Sequence, residues 1–265
     1  MDGKMRHGRY IYLLGDVHSS FYGLNSFINK RIRLDRTLRT IAPYWKRDGD
    51  DFQIIILQCG DFAYFWPMGE RPVIQNRIDW LPAGHVPFYW TGGHHEDWDE
   101  LDRLGSGISE LVQGVFYCPF GSTLTLSPDV TVLFAGGAES ADKDWRIEEM
   151  KRGAPKIWWE QEGISDADLS RLALVPKADW IVSHTAPNAF DVENEIGRSE
   201  WISGVSVPSR LKLEQVLLKY EPKRWFFGHY HHFMNGFTDG CEWECLPNLD
   251  GAERSWNKIW IEWVD

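Results

Sequence analysis

The 265-residue chain is short of cysteine, of long apolar runs and of basic side chains, and each shortage excludes something. Its four cysteines, Cys59, Cys118, Cys241 and Cys245, include no CxxC pair, and a disulfide scaffold of this size would carry many more. They read as reduced, small core residues. The longest purely aliphatic run, Ile54 to Leu57, is far too short to span a bilayer. Positions 1–9 are polar and lead straight into a strand-like segment without a signal-peptide hydrophobic region, so a cytoplasmic location is expected. With 28 Lys and Arg against 39 Asp and Glu the net charge is −11, which disfavours nucleic acid and anionic lipid as main partners. A site rich in bound cations still takes an anionic substrate. The sequence also lacks a GxSxG elbow, a P-loop, an HExxH pair, internal repeats and linkers. What remains, 43% hydrophobic and 25% charged, is the profile of a folded globular protein.

Histidine is where the chain is distinctive. Of nine, seven (His18, His94, His95, His184, His229, His231 and His232) fall in four short clusters. Each cluster follows a short run of strand-forming residues. Residues 10–14 precede Gly15-Asp16-Val17-His18, and 86–90 precede Thr91-Gly92-Gly93-His94-His95-Glu96. Residues 180–182 precede Ser183-His184, and 225–227 precede Gly228-His229-Tyr230-His231-His232. A fifth run, 52–57, ends at Cys59-Gly60-Asp61. Ligands gather outside strand ends in sheet proteins, so five ends delivering Asp or His to one edge read as one site. Imidazole and carboxylate together suit divalent transition metals, and this many donors exceeds what one four- to six-coordinate ion takes. Two metals are the natural count.

The ordered set Gly15-Asp16-Val17-His18, Gly60-Asp61, Gly93-His94-His95-Glu96, His184 in Ser-His-Thr-Ala-Pro and Gly228-His229-Tyr230-His231 resembles the five blocks of the calcineurin-like metallophosphoesterases, GDxH, GD, GNH[DE], H and GHxH. Residues 136–146 and 158–162 resemble a small single-domain bacterial and phage branch of them. The resemblance implies that one metal takes Asp16, His18 and His231, that the other takes His94, His184 and His229, and that Asp61 bridges the pair. It makes His95 the catalytic histidine that does not ligate. The family has asparagine where His94 stands. Imidazole is also a neutral donor, but softer, and it tilts preference toward Mn, Fe or Zn over Mg, with Mn²⁺ expected. Another register aligns Gly93 with the asparagine and leaves the second metal a ligand short.

In the chemistry so implied, a hydroxide bridging two divalent metals attacks the phosphoryl group in line. His95 protonates the leaving oxygen or stabilises its charge, with Glu96 or Asp97 orienting the ring. The acidic run Glu96, Asp97, Asp99, Glu100 and Asp102 reads equally well as a solvated helix start. Arg146 is a candidate clamp for a substrate phosphate, or else a surface or ion-paired arginine. The expected substrate is a phosphorylated small molecule, a nucleotide or a phosphoprotein. A monoesterase competes with a diesterase acting on cyclic or dinucleotides, and both with a non-catalytic metal-binding scaffold of the same fold.

Between the strands, a capping box at Ser165 to Asp168 starts one helix, and 208–220 places Leu213, Val216, Leu217 and Tyr220 on one face of another. A basic stretch, Lys30 to Arg39, wraps around an amphipathic helix and reads as a solvated face or a nucleic-acid surface. Residues 66–87 read as a helix flanked by loops near the site. The segments 241–246 and 258–264 suggest a closing antiparallel pair. The expected fold is one α/β domain over residues 1–265, which the resemblance sharpens to two packed mixed sheets flanked by helices, a four-layer αββα sandwich.

Overall fold

The computed structural model describes residues 6–18, 24, 51–67, 86–112, 114–192, 207–249 and 256–264. Along the chain run strands β1 (Arg6–Leu14), β2 (Asp51–Gln58) and β3 (Phe88–Trp90), then helix α1 (Trp98–Arg103). Strands β4 (Ser109–Val112), β5 (Val115–Tyr117), β6 (Thr123–Ser127) and β7 (Val130–Ala135) follow, and then helices α2 (Lys143–Lys151) and α3 (Asp166–Arg171). Strand β8 (Trp180–Ser183), helix α4 (Val207–Tyr220) and strands β9 (Arg224–Phe227), β10 (Met234–Thr238), β11 (Cys241–Cys245) and β12 (Trp256–Val264) complete the order.

The strands form two six-stranded mixed sheets, ordered β12-β1-β2-β3-β5-β4 and β10-β11-β9-β8-β7-β6. Their central strands are parallel, β1 to β2 to β3 in one sheet and β7 to β8 to β9 in the other. Central parallel strands covered on both faces must be apolar at every position, which is why β2 reads Ile54-Ile55-Ile56-Leu57 without alternation. Alternate residues serve different layers. Ile11, Leu13, Ile55 and Leu57 meet Val132, Phe134, Val182 and Phe226 of the other sheet in a shared core. Tyr12, Leu14, Ile54 and Ile56 face outward, where Leu101 of α1 packs with them. On the far side Leu213, Val216 and Leu217 of α4 cover Leu133, Ile181, Trp225 and Phe227. The architecture is helix, sheet, sheet, helix.

The local helix signals act as the sequence suggests. Ser165 accepts from the Asp168 N–H and the Asp168 side chain accepts from the Ser165 N–H, a reciprocal cap at the start of α3. One expectation is corrected. The segments 241–246 and 258–264 do not pair with each other. β11 lies between β10 and β9, whereas β12 runs antiparallel to β1 in the other sheet. The alternation in both segments marks strands, but partner choice is a long-range matter of which edge is open. The basic stretch from Lys30 to Arg39 and the interior of 66–87 lie outside the described residues. No helix among the described residues is long and apolar enough to cross a membrane.

Candidate active site

Because β1, β2 and β3 are parallel, as are β8 and β9, their carboxyl ends deliver Asp16 and His18, Asp61, His94 and His95, His184, and His229 and His231 to one place. The backbone there is bent sharply. His18, Asp61, His229 and His231 have φ of 46°, 55°, 70° and 55°, in the left-handed region that non-glycine residues seldom occupy. Such conformations cost roughly 1–3 kcal/mol each and persist where surrounding contacts over-determine them. Two glycines allow the carboxylates to lie against backbone. A Cβ at Gly93 would sit 2.1 Å from Asp61 Oδ1, and one at Gly228 would sit 2.0 Å from Asp16 Oδ1.

Backbone amides fix the carboxylates. Asp61 Oδ1 accepts the His95 N–H at 2.9 Å, and the Asp61 carbonyl accepts the His18 N–H at 2.9 Å. Asp16 accepts the His229 N–H at 3.0 Å. The Nδ1–H of His184 donates to the Cys59 carbonyl at 2.9 Å, which turns its Nε2 toward Asp61 Oδ1 at 3.3 Å. This is the orienting bond that ligating imidazoles commonly make through the other ring nitrogen.

The donors form four overlapping groups of three: Asp16, His18 and His231; His94, His184 and His229; His18, Asp61 and His95; and Asp16, Asp61 and His184, of which the first two share no residue. Within the first, the Nε2 atoms of His18 and His231 are 2.9 Å apart and His231 Nε2 is 3.0 Å from Asp16 Oδ2. Within the second, His94 Nδ1 is 3.1 Å from His184 Nε2. Such separations are about those of neighbouring ligands on one ion with bonds of roughly 2.0–2.1 Å. Asp61 lies between the groups. Its Oδ2, buried and without a hydrogen-bond donor among the described residues, is 3.2 Å from His94 Nδ1 and 3.8 Å from His18 Nε2. The donor set therefore fits divalent metal, with the Asp61 carboxylate between the two separate groups.

Charge is concentrated here against the cost of burial. Burial pushes the Asp61 carboxyl up, yet His184, His94 and His95 hold it well below the usual carboxylate range. Burial likewise opposes ionisation of Asp16, and its bonds to His18 and His231 hold it low. Burial disfavours a charged His184, but Asp61 and Asp16 raise it to about 9. Burial pushes His229 down to about 3, with His184 adding to the effect.

A family model described as calcineurin-like phosphoesterase matches residues 10–233, most of the chain. The chain belongs to that family. Phosphoester hydrolysis that depends on metal is the activity class that membership brings. Among solved structures, the phosphopantetheinyl hydrolase PptH of Mycobacterium tuberculosis is 12% identical, covers 95% of each chain and has a TM-score of 0.50. TT1561 of Thermus thermophilus is 14% identical, with 91% of this chain and 90% of that chain covered and a TM-score of 0.46. At such identities the likeness is one of fold. No curated protein matches the chain.

In this phosphoesterase the His94 ring lies beside those of His184 and His229, with centroids 5.3 and 4.9 Å away. His95 stands at the edge of the first group, its ring 4.8 Å from that of His18 and 5.0 Å from that of Trp66. Burial pushes His95 down to about 4; Asp61 opposes the shift, and His18 and Arg146 add to it. His232 is exposed, with Nδ1 donating to the Tyr230 carbonyl at 2.9 Å.

Two more of the predicted residues are buried, and Arg146 is ion-paired, one of the readings the sequence left open. Glu96 is buried and turns away from His95, its Oε1 accepting the Ala63 N–H at 3.0 Å, so it braces the loop behind Asp61. Its neighbours supply the solvated helix start: Asp97 caps α1, and Asp99 and Glu100 lie in the first turn. Arg146 is 1% exposed and its guanidinium lies against the His94-His95 backbone, not on the surface. Two further residues reach the site without a role assigned from sequence, Asp142, which lies in the 136–146 stretch, and Trp66. Asp142 pairs with Arg146 at 2.7 Å, a spacing of four along the start of α2 that the sequence does display. Nothing in the sequence singles out Trp66 among fifteen tryptophans.

Proposed function

We propose that this phosphoesterase hydrolyses the ester bond of a phosphorylated small molecule, nucleotide or phosphoprotein at a centre of two divalent cations, with Mn²⁺ preferred over Fe and Zn. The observation that carries the reading is the pair of three-donor groups with the buried Asp61 oxygen between them. Asp16, His18 and His231 would hold one cation, and His94, His184 and His229 the other. When bound, such a pair supplies Lewis acidity toward phosphoryl oxygens and a hydroxide nucleophile near neutral pH.

The chain's own residues do the rest. Asp61 keeps the two groups in register, because its carboxylate faces both while its carbonyl and Oδ1 tie down the β1 and β3 exits. The His184 bond to Cys59 leaves Nε2 as the free donor. His95, which shares a donor group with His18 and Asp61 and is left out of the two separate triads, assists the departing oxygen. Imidazole in place of asparagine at position 94 is the basis for preferring Mn²⁺ to Mg²⁺.

The test is to purify the protein, count its bound metals by elemental analysis and assay it with Mn²⁺ on chromogenic phosphate monoesters and diesters. About two metals per chain with turnover is the expected result, and the faster ester chooses between monoesterase and diesterase. One metal or none, with no turnover after Mn²⁺ is supplied, would sink the proposal in favour of a binding scaffold.

A further inference from the structure

Arg146 has no room to act as a phosphate clamp. Its Nε is 2.7 Å from Asp142 Oδ1, its Nη1 donates to the His94 carbonyl at 2.8 Å and the Ile157 carbonyl at 3.3 Å, and its Nη2 lies 3.3 Å from His95 Nε2. A guanidinium has five N–H bonds, so these contacts leave one at most, on a side chain that is 1% exposed. Bidentate capture of phosphate needs two parallel N–H groups. The Trp66 ring, 5.1 Å from the guanidinium carbon and 5.0 Å from the centre of the His95 ring, packs against both.

We propose that Arg146 is a positioning residue: anchored by Asp142, it sets the orientation and tautomer of the His95 ring through Nε2 and holds the turn it stands on through the His94 carbonyl. The assignment rests on the reading that His95 assists the leaving oxygen. Arginine has only donors, so His95 Nε2 accepts, and the ring hydrogen falls on Nδ1. His95 then serves the reaction as a hydrogen-bond donor. As the phosphorus–oxygen bond breaks, the electron pair stays on the leaving oxygen, the Nδ1–H stabilises it, and water supplies the proton.

Leaving-group dependence is the measurement that separates positioning from clamping. With Mn²⁺, Arg146→Met is expected to lower kcat on phenyl esters about a hundredfold, the low end for a positioned acid–base group, with KM held within about twofold. On dinitrophenyl esters, whose leaving oxygen needs no help, the expected loss is less than about threefold. His95→Ala should show the same pattern, and the double variant should be no worse. A KM rise shared by both esters with kcat preserved would restore the clamp and overturn the proposal. So would an equal kcat loss on both esters that persists in the His95→Ala background. If Arg146→Met does not fold, Asp142→Asn, at a half-buried position, should give the same signature at smaller size. Ring-nitrogen NMR of histidine-labelled protein gives a readout independent of turnover. An unprotonated His95 Nε2 that shifts in Arg146→Met supports the assignment, and a protonated Nε2 in the wild type overturns it. Absence of wild-type turnover with this NMR signature intact would count against the function proposed above and not against the Arg146 contact.

Discussion

Asp61 and Glu96 are both fully buried and contribute to the same site, yet their surroundings shift their carboxyls in opposite directions. Glu96 meets backbone N–H groups, and burial keeps its carboxyl well above the ordinary value. Asp61 meets three imidazoles, which hold it well below that value despite the same burial. Glu162, behind the loop that follows β7, sides with Glu96: its Oε1 accepts from the Ser140 N–H at 2.7 Å and the Trp158 Nε1–H at 3.1 Å, and burial raises it to about 7. Hydrogen bonds do not offset burial at Glu96 and Glu162, whereas the imidazoles around Asp61 do. That difference marks the place built for cations, independently of any motif.

The largest effect should come from removing the charge at the shared position. Asp61→Asn keeps the shape of the side chain, so the amide contacts to the neighbouring turns survive in part, while the carboxylate near His94 and His184 on one side and His18 on the other is lost. Turnover is expected to fall by at least about a hundredfold and bound metal to drop below two per chain. Elemental analysis and a kcat measurement on the same sample check it. The mirror substitution Glu96→Gln should leave metal content unchanged, because burial already works against a charge on Glu96 and the glutamine amide oxygen can still accept the Ala63 N–H. Equal metal loss in both variants would break the contrast.

A smaller effect separates the two donor groups. His184 is wholly buried and His94 nearly so, whereas the side chains of His18 and His231 are 24% and 41% exposed. His94→Ala should remove one metal that added Mn²⁺ does not restore at moderate concentration, and His94→Asn should largely preserve activity. In His231→Ala the neighbouring group is open to water, which can take the vacated position, so metal affinity should fall and raising Mn²⁺ should recover turnover. Titration of activity against Mn²⁺ for the three variants is the check. Unchanged metal content and turnover in His94→Ala would return the alternative register, with Gly93 at the asparagine position.

Much of this was legible in the sequence because the signals are local. An apolar run closed by Gly-Asp or by Gly followed by His marks four of the strand exits, Ser183-His184 marks the fifth, and the parallel strands of the two packed sheets bring all five together. The donor groups themselves needed the family pattern, since spacing does not say which histidine meets which. What escaped notice depends on direction and distance. Glu96 follows His95 directly, but its side chain enters the core, and an acidic run cannot say which of its members does so. Arg146 looks like an exposed helical cation until burial is known, and its partner His95 is 51 residues away. The strand character of 241–246 and 258–264 is evident, yet each pairs with an edge formed elsewhere.

The smallest effect is one of stability, and it sharpens the contrast from the other side. The Glu162 carboxyl has an ordinary value of 4.5 and is raised to about 7 in the fold by burial, against the opposing pull of Ser140, Arg146 and Trp158. A raised acid binds more protons folded than unfolded, so its contribution to stability is greatest below about pH 4.5 and is lost as pH rises through about 7. The shift corresponds to at most about 3 kcal/mol. In Glu162→Gln the amide oxygen still accepts from Ser140 and Trp158 but carries no charge, so the variant should hold its melting temperature between pH 5 and 8 where the wild type declines. Thermal unfolding across that range, with metal content fixed by a chelator, reads the difference. Parallel curves for the two proteins would mean that Glu162 is accommodated as an ion, and that a cage of imidazoles is not what distinguishes Asp61.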